Sequence, residues 1–569
     1  MRFGATVLIS CLAASSTVSA GSHRWGWHKG ASWSGWGGNI HNNRWAPNDA
    51  AISSSTLSAL KEHCKKQYGT GVSAAPTLVD GVAYYPTWSG LFVALDYIKC
   101  TVKWEINVTS AISAYSKTPA TQSLISRSSP QIGNDGELYF TTLSQALTVA
   151  VDAGSGAVLG TAKVNVHPYA VVTMSPTYYK GLLIVGGSST EEGAVSSVPG
   201  YVCCSFVGNV IALRFSRSKG FTKVWDVQML PPPAVAANST DRWSGASVWG
   251  SQPSIDEKRS QVFIGTGNVY KTPTSYSQCL AANGNGSTTS STTPANPNDE
   301  IDPCLPADVW QDSVLALDIA TGKPNWVRQL TPVDSWRIAC NAADSGSTTG
   351  SSLCPGVPGP DADFGMAPAF IPGQSSTSRK YRNKAASPLP NDVVVLGQKN
   401  GNLFALDAAN GSSVWSLATG PGGGLGGLSW GVAADNQRVY FTQINNANKR
   451  YTLPISKTNI TNSAYGAVDI RSGKIVWDTP VPGNGTSNSP PTVAGDVVLV
   501  GMSDYAGGKT ASSGGLVVLE RGSGKVLGKV VVDNVVQGGV AADGDYVLFG
   551  SGYRASGAAA NGSFYVFKV

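Results

Sequence analysis

The chain repeats one short phrase along its length. An apolar run ends in Ala-Leu-Asp or a close variant, a turn that contains Gly follows, and a strand that often contains Trp comes next. Ahead of most copies lies another strand bounded by turn residues such as Asp-Gly, so each repeat predicts two hairpins and a four-stranded sheet. Such a sheet cannot bury both faces alone and must stack on its neighbours. The copies are Val93–Asp96, Val149–Asp152, Ile211–Arg214, Leu315–Asp318, Phe404–Asp407, Gly466–Asp469, Val517–Glu520 and the truncated Phe564–Phe567.

The repeat predicts an all-β fold, an eight-bladed β-propeller with four-stranded antiparallel blades. Seven copies have a full context, and the truncated eighth is expected to pair with N-terminal residues, which closes the ring and removes edge strands. We expect residues 21–569 to form this single domain. The Trp residues after the phrases are predicted to fill the seams between adjacent blades; they are Trp104, Trp225, Trp326, Trp415 and Trp477.

The composition fits this fold and excludes other classes. Gly contributes 66 and Pro 32 of the 569 residues, while charged residues make up only 13%. With 42% hydrophobic residues the chain is too apolar to be disordered, and its Gly residues have no three-residue period, which excludes collagen. The net charge of +6, without an extended basic cluster, argues against a nucleic-acid partner.

The first 20 residues read as a secretory signal peptide. Arg2 gives the positive start, residues 5–14 the apolar run, and residues 18–20 a small-residue cleavage site. A buried N-terminal strand is the alternative interpretation. No later stretch of 18 apolar residues occurs, so we expect a secreted protein without a membrane span. Sequons compatible with N-glycosylation begin at Asn107, Asn238, Asn459 and Asn484.

Eight cysteines remain once Cys11 leaves with the signal peptide, an even number that suits an oxidising compartment. Local disulfides are expected to clip long polar loops near residues 271–310 and 335–365, and long loops on a rigid scaffold often carry binding sites. The expected pairs are Cys279 with Cys304 and Cys340 with Cys354; the candidate pairs are Cys64 with Cys100 and the adjacent Cys203 with Cys204.

Eight phrases in a shared order resemble the eight-bladed quinoprotein dehydrogenases, whose cofactor is pyrroloquinoline quinone (PQQ). The similarity is strongest to polyvinyl-alcohol-dehydrogenase-like proteins and covers nearly all of the predicted mature chain. One such phrase would be weak support, but their common order is specific. The phrases are Trp36–Arg44, Gly187–Glu192, Tyr201–Phe206, Val248–Asp256, Ile264–Asn268, Gly359–Gly365, Gln398–Asp407 and Gly420–Gly427.

The resemblance implies a Ca²⁺ ion that bridges protein and quinone. Glu191 and Asn268 match its ligands, and carboxylate and amide oxygens suit a hard cation. A shift of one residue would exchange Glu191 for Glu192, and a plain turn residue is the alternative for Asn268. The resemblance also implies a general base for the alcohol proton, which we assign to Asp361, with Asp363 as the metal-side carboxylate. A pair of loop-capping Asp residues is the alternative.

The resemblance further implies four contacts to the quinone. Lys399 would hydrogen-bond its carbonyls, Trp249 would support its flat ring, and Thr173 and Arg127 would contact its polar edge. A solvated hairpin lysine and a blade-filling Trp are the alternatives for the first two.

Three departures separate this chain from the family pattern. Arg337 follows Trp336 where an Asp is expected, and Val207 stands where many relatives have a cation. The Cys203-Cys204 pair comes after Glu191 rather than before it, so a position over the cofactor cannot be assumed.

These features predict a secreted oxidoreductase that oxidises alcohol groups of a small-molecule or polymeric substrate, with hydride transfer to PQQ assisted by Ca²⁺. The sequence has no Cys-x-x-Cys-His haem motif, so the enzyme would need an external electron acceptor. The alternative is a secreted propeller that has lost PQQ and binds or tailors a small molecule such as a secondary metabolite. No nucleophile elbow stands in a strand–turn–helix context, which argues against a hydrolase.

Overall fold

Eight antiparallel sheets form a ring. The computed structural model describes residues 32–46, 51–116, 123–134, 136–232, 241–283, 304–340, 353–355, 359–374, 389–424, 426–428, 430–503, 514–553 and 561–569. Each sheet is one blade of four strands, of which the fourth is the most exposed, and the repeated phrases are the third strands. The eight-bladed propeller predicted from the sequence is therefore confirmed. The predicted signal peptide lies outside the described residues.

The first four blades follow each other directly along the chain. Their strands are Thr77–Val79, Val82–Pro86, Leu91–Asp96 and Thr101–Asn107 in blade one; Gln131–Ile132, Glu137–Thr141, Leu147–Asp152 and Val158–Lys163 in blade two; Thr177–Tyr179, Leu182–Ser189, Asn209–Ser216 and Gly220–Gln228 in blade three; and Ser254–Asp256, Gln261–Gly265, Ser313–Asp318 and Pro324–Gln329 in blade four.

The last four blades complete the ring. Their strands are Ala369–Ile371, Val393–Gly397, Asn402–Asp407 and Ser413–Ala418 in blade five; Ala433–Ala434, Arg438–Gln443, Ala464–Asp469 and Ile475–Pro480 in blade six; Thr492–Ala494, Val497–Ser503, Gly514–Glu520 and Val526–Val532 in blade seven; and Ala541–Asp543, Tyr546–Gly550, Gly562–Lys568 and the N-terminal Lys61–Tyr68 in blade eight.

Short helices, 3-10 turns and additional strands lie in the loops between the blade strands. Helices α1, α2 and α3 span Val108–Tyr115, Glu191–Ser197 and Thr274–Ala282, and 3-10 turns span Leu57–Ala59, Ser144–Ala146, Ile338–Cys340 and Pro482–Asn484. The additional strands are Trp45–Ala46, Ala170–Val171, Ser244–Gly245, Val269–Lys271, Tyr451–Thr452 and Asn459–Ile460. No helix in the described ranges has the length and hydropathy needed to cross a membrane.

An N-terminal strand closes the ring, as predicted. Lys61–Tyr68 pairs antiparallel with Gly562–Lys568 and so becomes the outermost strand of blade eight. The Cys64–Cys100 disulfide then ties this strand to blade one across the seam. The other three predicted cysteine pairs are present as well, including the vicinal Cys203–Cys204 pair.

The repeated Trp residues fill the blade seams, as predicted. Each lies on the fourth strand of its blade and donates its indole N–H to a backbone carbonyl of the next blade; Trp326 bonds Ala408 O at 3.1 Å and Trp415 bonds Ile470 O at 2.9 Å. The indole also covers the turn Gly of that blade, such as Gly411 and Gly473, both at positive φ. A Cβ at either Gly would meet the indole at 2.6 Å, so the turn needs Gly for space as well as for conformation.

Residues 32–46 cross the centre of the ring. Backbone N–H groups of residues 78, 255, 370, 434 and 493, from the first strands of five blades, donate to carbonyls of this segment. Its Arg44 is fully buried, lies 5.4 Å from the Trp36 ring, and donates to Pro491 O and Thr492 Oγ1 at 2.8 Å each. The segment thus connects the inner strands of five blades and places Trp36 at the centre of the ring.

Candidate active site

The propeller topology gathers the predicted site residues on one face. In a four-stranded antiparallel blade, the loop between strands two and three emerges on the same face as the connection to the next blade. Glu191, Asn268 and Lys399 follow the second strands of blades three, four and five. Arg127, Thr173, Trp249, Asp361 and Asp363 lie in connections between blades.

Lys399 and two aspartates form a buried charged cluster. Lys399 Nζ lies 2.8 Å from Asp361 Oδ1 and 3.1 Å from Asp363 Oδ2. Burial lowers the pKa of the lysine, but the carboxylates outweigh this effect and raise the pKa above its ordinary value. Lys399 is therefore an ammonium held by acids and not a solvated hairpin lysine.

Two indoles enclose the lysine. Lys399 Nζ lies 5.2 Å from the ring centre of Trp249 and 5.7 Å from that of Trp336, which gives cation–π contacts on both sides. Trp249 Nε1 also donates to Asp363 Oδ2 at 3.1 Å. Trp249 is thus a member of the cluster, while the seam-filling Trp residues lie on the outer strands.

Asn268 is oriented with its oxygen uncommitted. Its Nδ2 donates to the carbonyls of Val269 and Trp336 at 3.0 and 2.9 Å, and its backbone N–H donates to Asp363 Oδ1 at 2.5 Å. Within the described residues the Asn268 side-chain oxygen has no hydrogen-bond donor, so it remains open to a cation.

Glu191 and Glu192, adjacent at the start of α2, have different environments. The fully buried Glu191 carboxylate accepts from Tyr201 Oη at 2.6 Å and from the backbone N–H groups of Ser205 and Phe206 at 2.8 Å each. Burial would raise the pKa of Glu191, but these bonds and His167 outweigh it and hold the pKa below its usual value. Glu191 therefore holds the segment that carries the vicinal cysteines, and its oxygens are already engaged.

Glu192 is electrostatically coupled to the cluster. Burial raises its pKa to about 7; Lys399 opposes this rise and Asp363 adds to it. Because the oxygens of Glu191 are engaged by Tyr201, Ser205 and Phe206, Glu192 is the candidate metal carboxylate, the second of the two alternatives open from the sequence.

A solvent-open cavity of about 470 Å³ adjoins the cluster. Trp249 belongs to both, since it contacts Asp363 on one side and lines the cavity on the other. The lining combines aromatic rings, hydroxyls and one cation, a mixture typical of small-molecule sites. The lining residues are Trp36, Ser73, Arg127, Thr173, Ser175, Trp249, Ser251, Trp430, Gln537 and Tyr553.

Arg127 and Thr173 both line this cavity. Arg127 donates to Tyr553 Oη at 2.7 Å and lies 5.9 Å from the ring centre of Trp430. Thr173 Oγ1 donates to Trp249 O at 2.8 Å and so fixes the backbone of the central indole. The two residues predicted to contact the quinone therefore line the same cavity as Trp249.

The sequence departure at Arg337 does not put a cation into the cluster. Arg337 Nε donates to Tyr270 O at 2.8 Å and its Nη1 to Leu353 O at 2.9 Å. Arg337 thus fastens the loop that the Cys340–Cys354 disulfide clips. Cys204 is buried beside Phe206, on the segment held by Glu191, and neither cysteine lines the cavity.

Several site residues were missed by the sequence reasoning. Trp36 and Trp430 lie inside or just after phrases that carried the resemblance, and Trp36 Nε1 donates to Trp430 O at 2.6 Å. Trp336 was noted only as the neighbour of Arg337. Tyr553 and Gln537 come from the last blade and carry no recognisable signal.

The residues fit a hard cation beside a flat, oxygen-rich ligand. Within the described ranges, no three or more His, Cys, Asp and Glu side chains converge into a ready metal site. However, Asp361 Oδ2 is buried without a hydrogen-bond partner, and one ammonium faces three carboxyls, those of Asp361, Asp363 and Glu192. A cation bound by Glu192, Asp363 and the Asn268 oxygen would neutralise this excess, and the ligand would supply further oxygens.

Comparison with known proteins agrees with the fold. A family profile described as "Outer membrane protein assembly factor BamB" matches residues 399–511. A polyvinylalcohol dehydrogenase from Pseudomonas sp. is 28% identical over 456 residues, which cover 79% of this chain and 59% of that protein. Its counterpart from Sphingopyxis sp. (strain 113P3) is 27% identical over 453 residues, 78% of this chain and 58% of that protein. The chain thus matches about three fifths of the length of these curated relatives.

Solved structures share the architecture. Quinohemoprotein alcohol dehydrogenase from Comamonas testosteroni superimposes with a TM-score of 0.63 and 18% identity, covering 94% of this chain and 80% of that one. A europium-containing methanol dehydrogenase gives a TM-score of 0.60 and 16% identity, covering 95% and 98%. The ring has the fold of the quinoprotein alcohol dehydrogenase structures. The chain is similar in sequence to polyvinyl alcohol dehydrogenases, which confirms the predicted resemblance.

Proposed function

We propose that this chain is a secreted quinoprotein oxidoreductase that oxidises alcohol groups of a small molecule or polymer and passes the electrons to an external acceptor. The observation that carries the proposal is the buried Lys399–Asp361–Asp363 cluster beside Trp249 and an aromatic cavity. The named activities of the curated relatives support an alcohol as the substrate class.

Trp249, Lys399, Arg127 and Thr173 would hold PQQ, and Glu192, Asp363 and Asn268 would hold Ca²⁺. When bound, PQQ supplies the hydride acceptor and Ca²⁺ polarises its carbonyl oxygen.

Asp361 provides the base. Its Oδ1 is held by Lys399, while Oδ2 has no hydrogen-bond partner and is available for the proton of the substrate hydroxyl. Burial raises the pKa of Asp361 well above its ordinary value, with Lys399 opposing and Asp363 adding to the rise, which makes this carboxylate a stronger base than a solvated one. The rings of Trp249 and Trp336 lie 5.2 and 5.7 Å from the lysine nitrogen and add apolar surface around it.

The test is reconstitution of the purified chain with micromolar PQQ and Ca²⁺, followed by dye reduction with short alcohols and with polyvinyl alcohol. We expect alcohol-dependent reduction that disappears in Asp361→Asn and persists in Asp256→Asn, a buried aspartate in a distant turn of blade four. Absence of quinone binding at micromolar concentration would refute the proposal. Ligand binding without PQQ or Ca²⁺ would favour the alternative, a propeller that has lost its cofactor.

A further inference from the structure

Asp334 is a buried carboxylate that the site described above does not use. It lies in the connection from blade four to blade five and is 1% exposed. Its Oδ2 accepts the backbone N–H of Ala362, the residue after Asp361, at 2.5 Å. A side chain of another segment thus binds the backbone on which Asp361 stands.

The backbone of Asp361 needs such support. Asp361 has φ of +58°, in the left-handed region that residues other than Gly, Asn and Asp rarely adopt. Asp occupies this region more readily than most residues do, and neighbouring groups decide whether it stays there. The N–H of Ala362 donates to Asp334, which fixes the turn directly after Asp361.

Asp334 also contacts the strand on the metal side of the cluster. Its carbonyl oxygen accepts the N–H of Val269, next to Asn268, at 3.0 Å, and its own N–H donates to Gln311 Oε1 at 3.1 Å. One residue therefore fastens the segment with the amide oxygen to the segment with the base.

The approach between the two segments is close. Gly359 N–H donates to Ser335 O at 3.0 Å, and a Cβ at Gly359 would lie 1.9 Å from Asp334 Oδ1. Buried Asp312 lies within electrostatic reach of Asp334, and Thr331 Oγ1 donates to Asp312 Oδ2 at 3.1 Å.

We propose that Asp334 is a positioning residue: it holds Asp361 in the left-handed conformation and thereby directs the Asp361 carboxylate at the substrate. Its catalytic consequence rests on the proposed function, whereas its effect on the backbone does not. Small displacements of a catalytic group can reduce turnover by about a hundredfold.

The first test compares Asp334→Ala and Asp334→Asn with a matched control. Asp435 is also buried and accepts two backbone N–H groups, those of Gln437 and Arg438 at 2.7 and 2.8 Å, in a turn of blade six. We expect kcat to fall about 10- to 100-fold in Asp334→Ala, with KM changed less than about threefold. Asp334→Asn, which keeps one acceptor oxygen, should recover part of this loss, and Asp435→Ala should leave kcat within about twofold.

A double-variant cycle tests the route of action. If Asp334 acts through Asp361, the Asp334→Ala change should lower kcat no further in an Asp361→Asn background, because coupled residues are not additive. An equal loss in both backgrounds would overturn the proposal, as would an unchanged kcat in Asp334→Ala.

Hydrogen–deuterium exchange separates this inference from the proposed function. In Asp334→Ala, or in Asp334→Asn if the alanine variant does not fold, the amide of Ala362 should exchange at least about tenfold faster, while Asp435→Ala leaves it unchanged. Lack of alcohol oxidation by the wild-type chain would refute the function alone. Unchanged exchange at this amide would refute the positioning role.

Discussion

Replacing Lys399 by Met removes the charge that two buried acids share while it keeps the apolar contacts to both indoles. The ammonium lies 2.8 and 3.1 Å from Asp361 and Asp363, whose side chains are only 2% and 10% exposed. Breaking a buried ion pair by removal of one partner costs about 3–5 kcal/mol. We therefore expect a large loss in the free energy of unfolding.

Proton uptake limits this loss. Without the ammonium, the pKa of the neighbouring Asp361 carboxyl rises further, and a protonated carboxyl leaves no unpaired buried charge. A carboxyl whose pKa is raised in the folded state destabilises the fold increasingly as the pH rises above its unfolded value. The Lys399→Met loss should therefore be about 3–5 kcal/mol at pH 7 and smaller at pH 5.

Urea unfolding at pH 5 and pH 7, with chelator present and without quinone, measures both values. Lys223→Met is the matched control, because Lys223 forms a 3.0 Å pair with Asp226 at a site where the lysine is 59% exposed. That variant should lose less than about 1 kcal/mol at either pH. Two results would contradict this reasoning: a loss in the free energy of unfolding below about 1 kcal/mol for Lys399→Met, or a loss that is not smaller at pH 5. Either result would show that Lys399 does not compensate the charge of the buried acids.

Three further predictions concern pH, ring closure and the adjacent glutamates. Burial lowers the pKa of His41 from 6.5 to about 4, and nearby carboxylates oppose this effect. Acidification from pH 7 to pH 4 should therefore lower the free energy of unfolding by about 3 kcal/mol through His41. His41→Gln should remove this contribution when the urea midpoint is measured as a function of pH. Opening the disulfide of Cys64 and Cys100, 36 residues apart, by the double Ser variant should lower the free energy of unfolding by about 3–4 kcal/mol, measured by chemical denaturation. Glu191→Gln should lower the free energy of unfolding by about 2 kcal/mol and leave the Ca²⁺ affinity almost unchanged. Glu192→Gln should weaken Ca²⁺ binding and leave the free energy of unfolding almost unchanged. Calorimetry with PQQ present measures the Ca²⁺ affinity of both variants.

The fold was predictable because its signals are local and repeated. The phrase that ends in Ala-Leu-Asp sets a third strand, a Gly turn and a fourth strand, and the Trp of one repeat fits the Gly turn of the next. Such periodicity needs no knowledge of distant contacts. The contributions of residues 32–46 were harder to predict from the sequence. Trp36 and Arg44 donate side-chain hydrogen bonds to backbone carbonyls hundreds of residues away in the chain.

The candidate site was predictable in its residue types but not at every position. Glu191 and Glu192 are adjacent carboxylates on α2, and successive residues of a helix point in different directions. The carboxylate of Glu191 accepts hydrogen bonds from Tyr201, Ser205 and Phe206, whereas the pKa of Glu192 responds to Lys399. Tertiary contacts alone decide this difference. Asp334 carries no motif of its own, since its partners are backbone N–H groups.

The departure at Arg337 has a physical explanation in the path of the chain. The chain leaves the cluster after Trp336, where Arg337 fastens the disulfide-clipped loop, and returns at Gly359, which bonds Ser335 O. The return point is beside the departure point, and Asp334 accepts the N–H of Ala362, the residue after Asp361. A loop inserted this way can change length without moving the acid, provided that its two ends stay joined. The integrity of the cluster therefore depends on the contacts of Asp334 and Ser335 rather than on the spacing of the sequence motif.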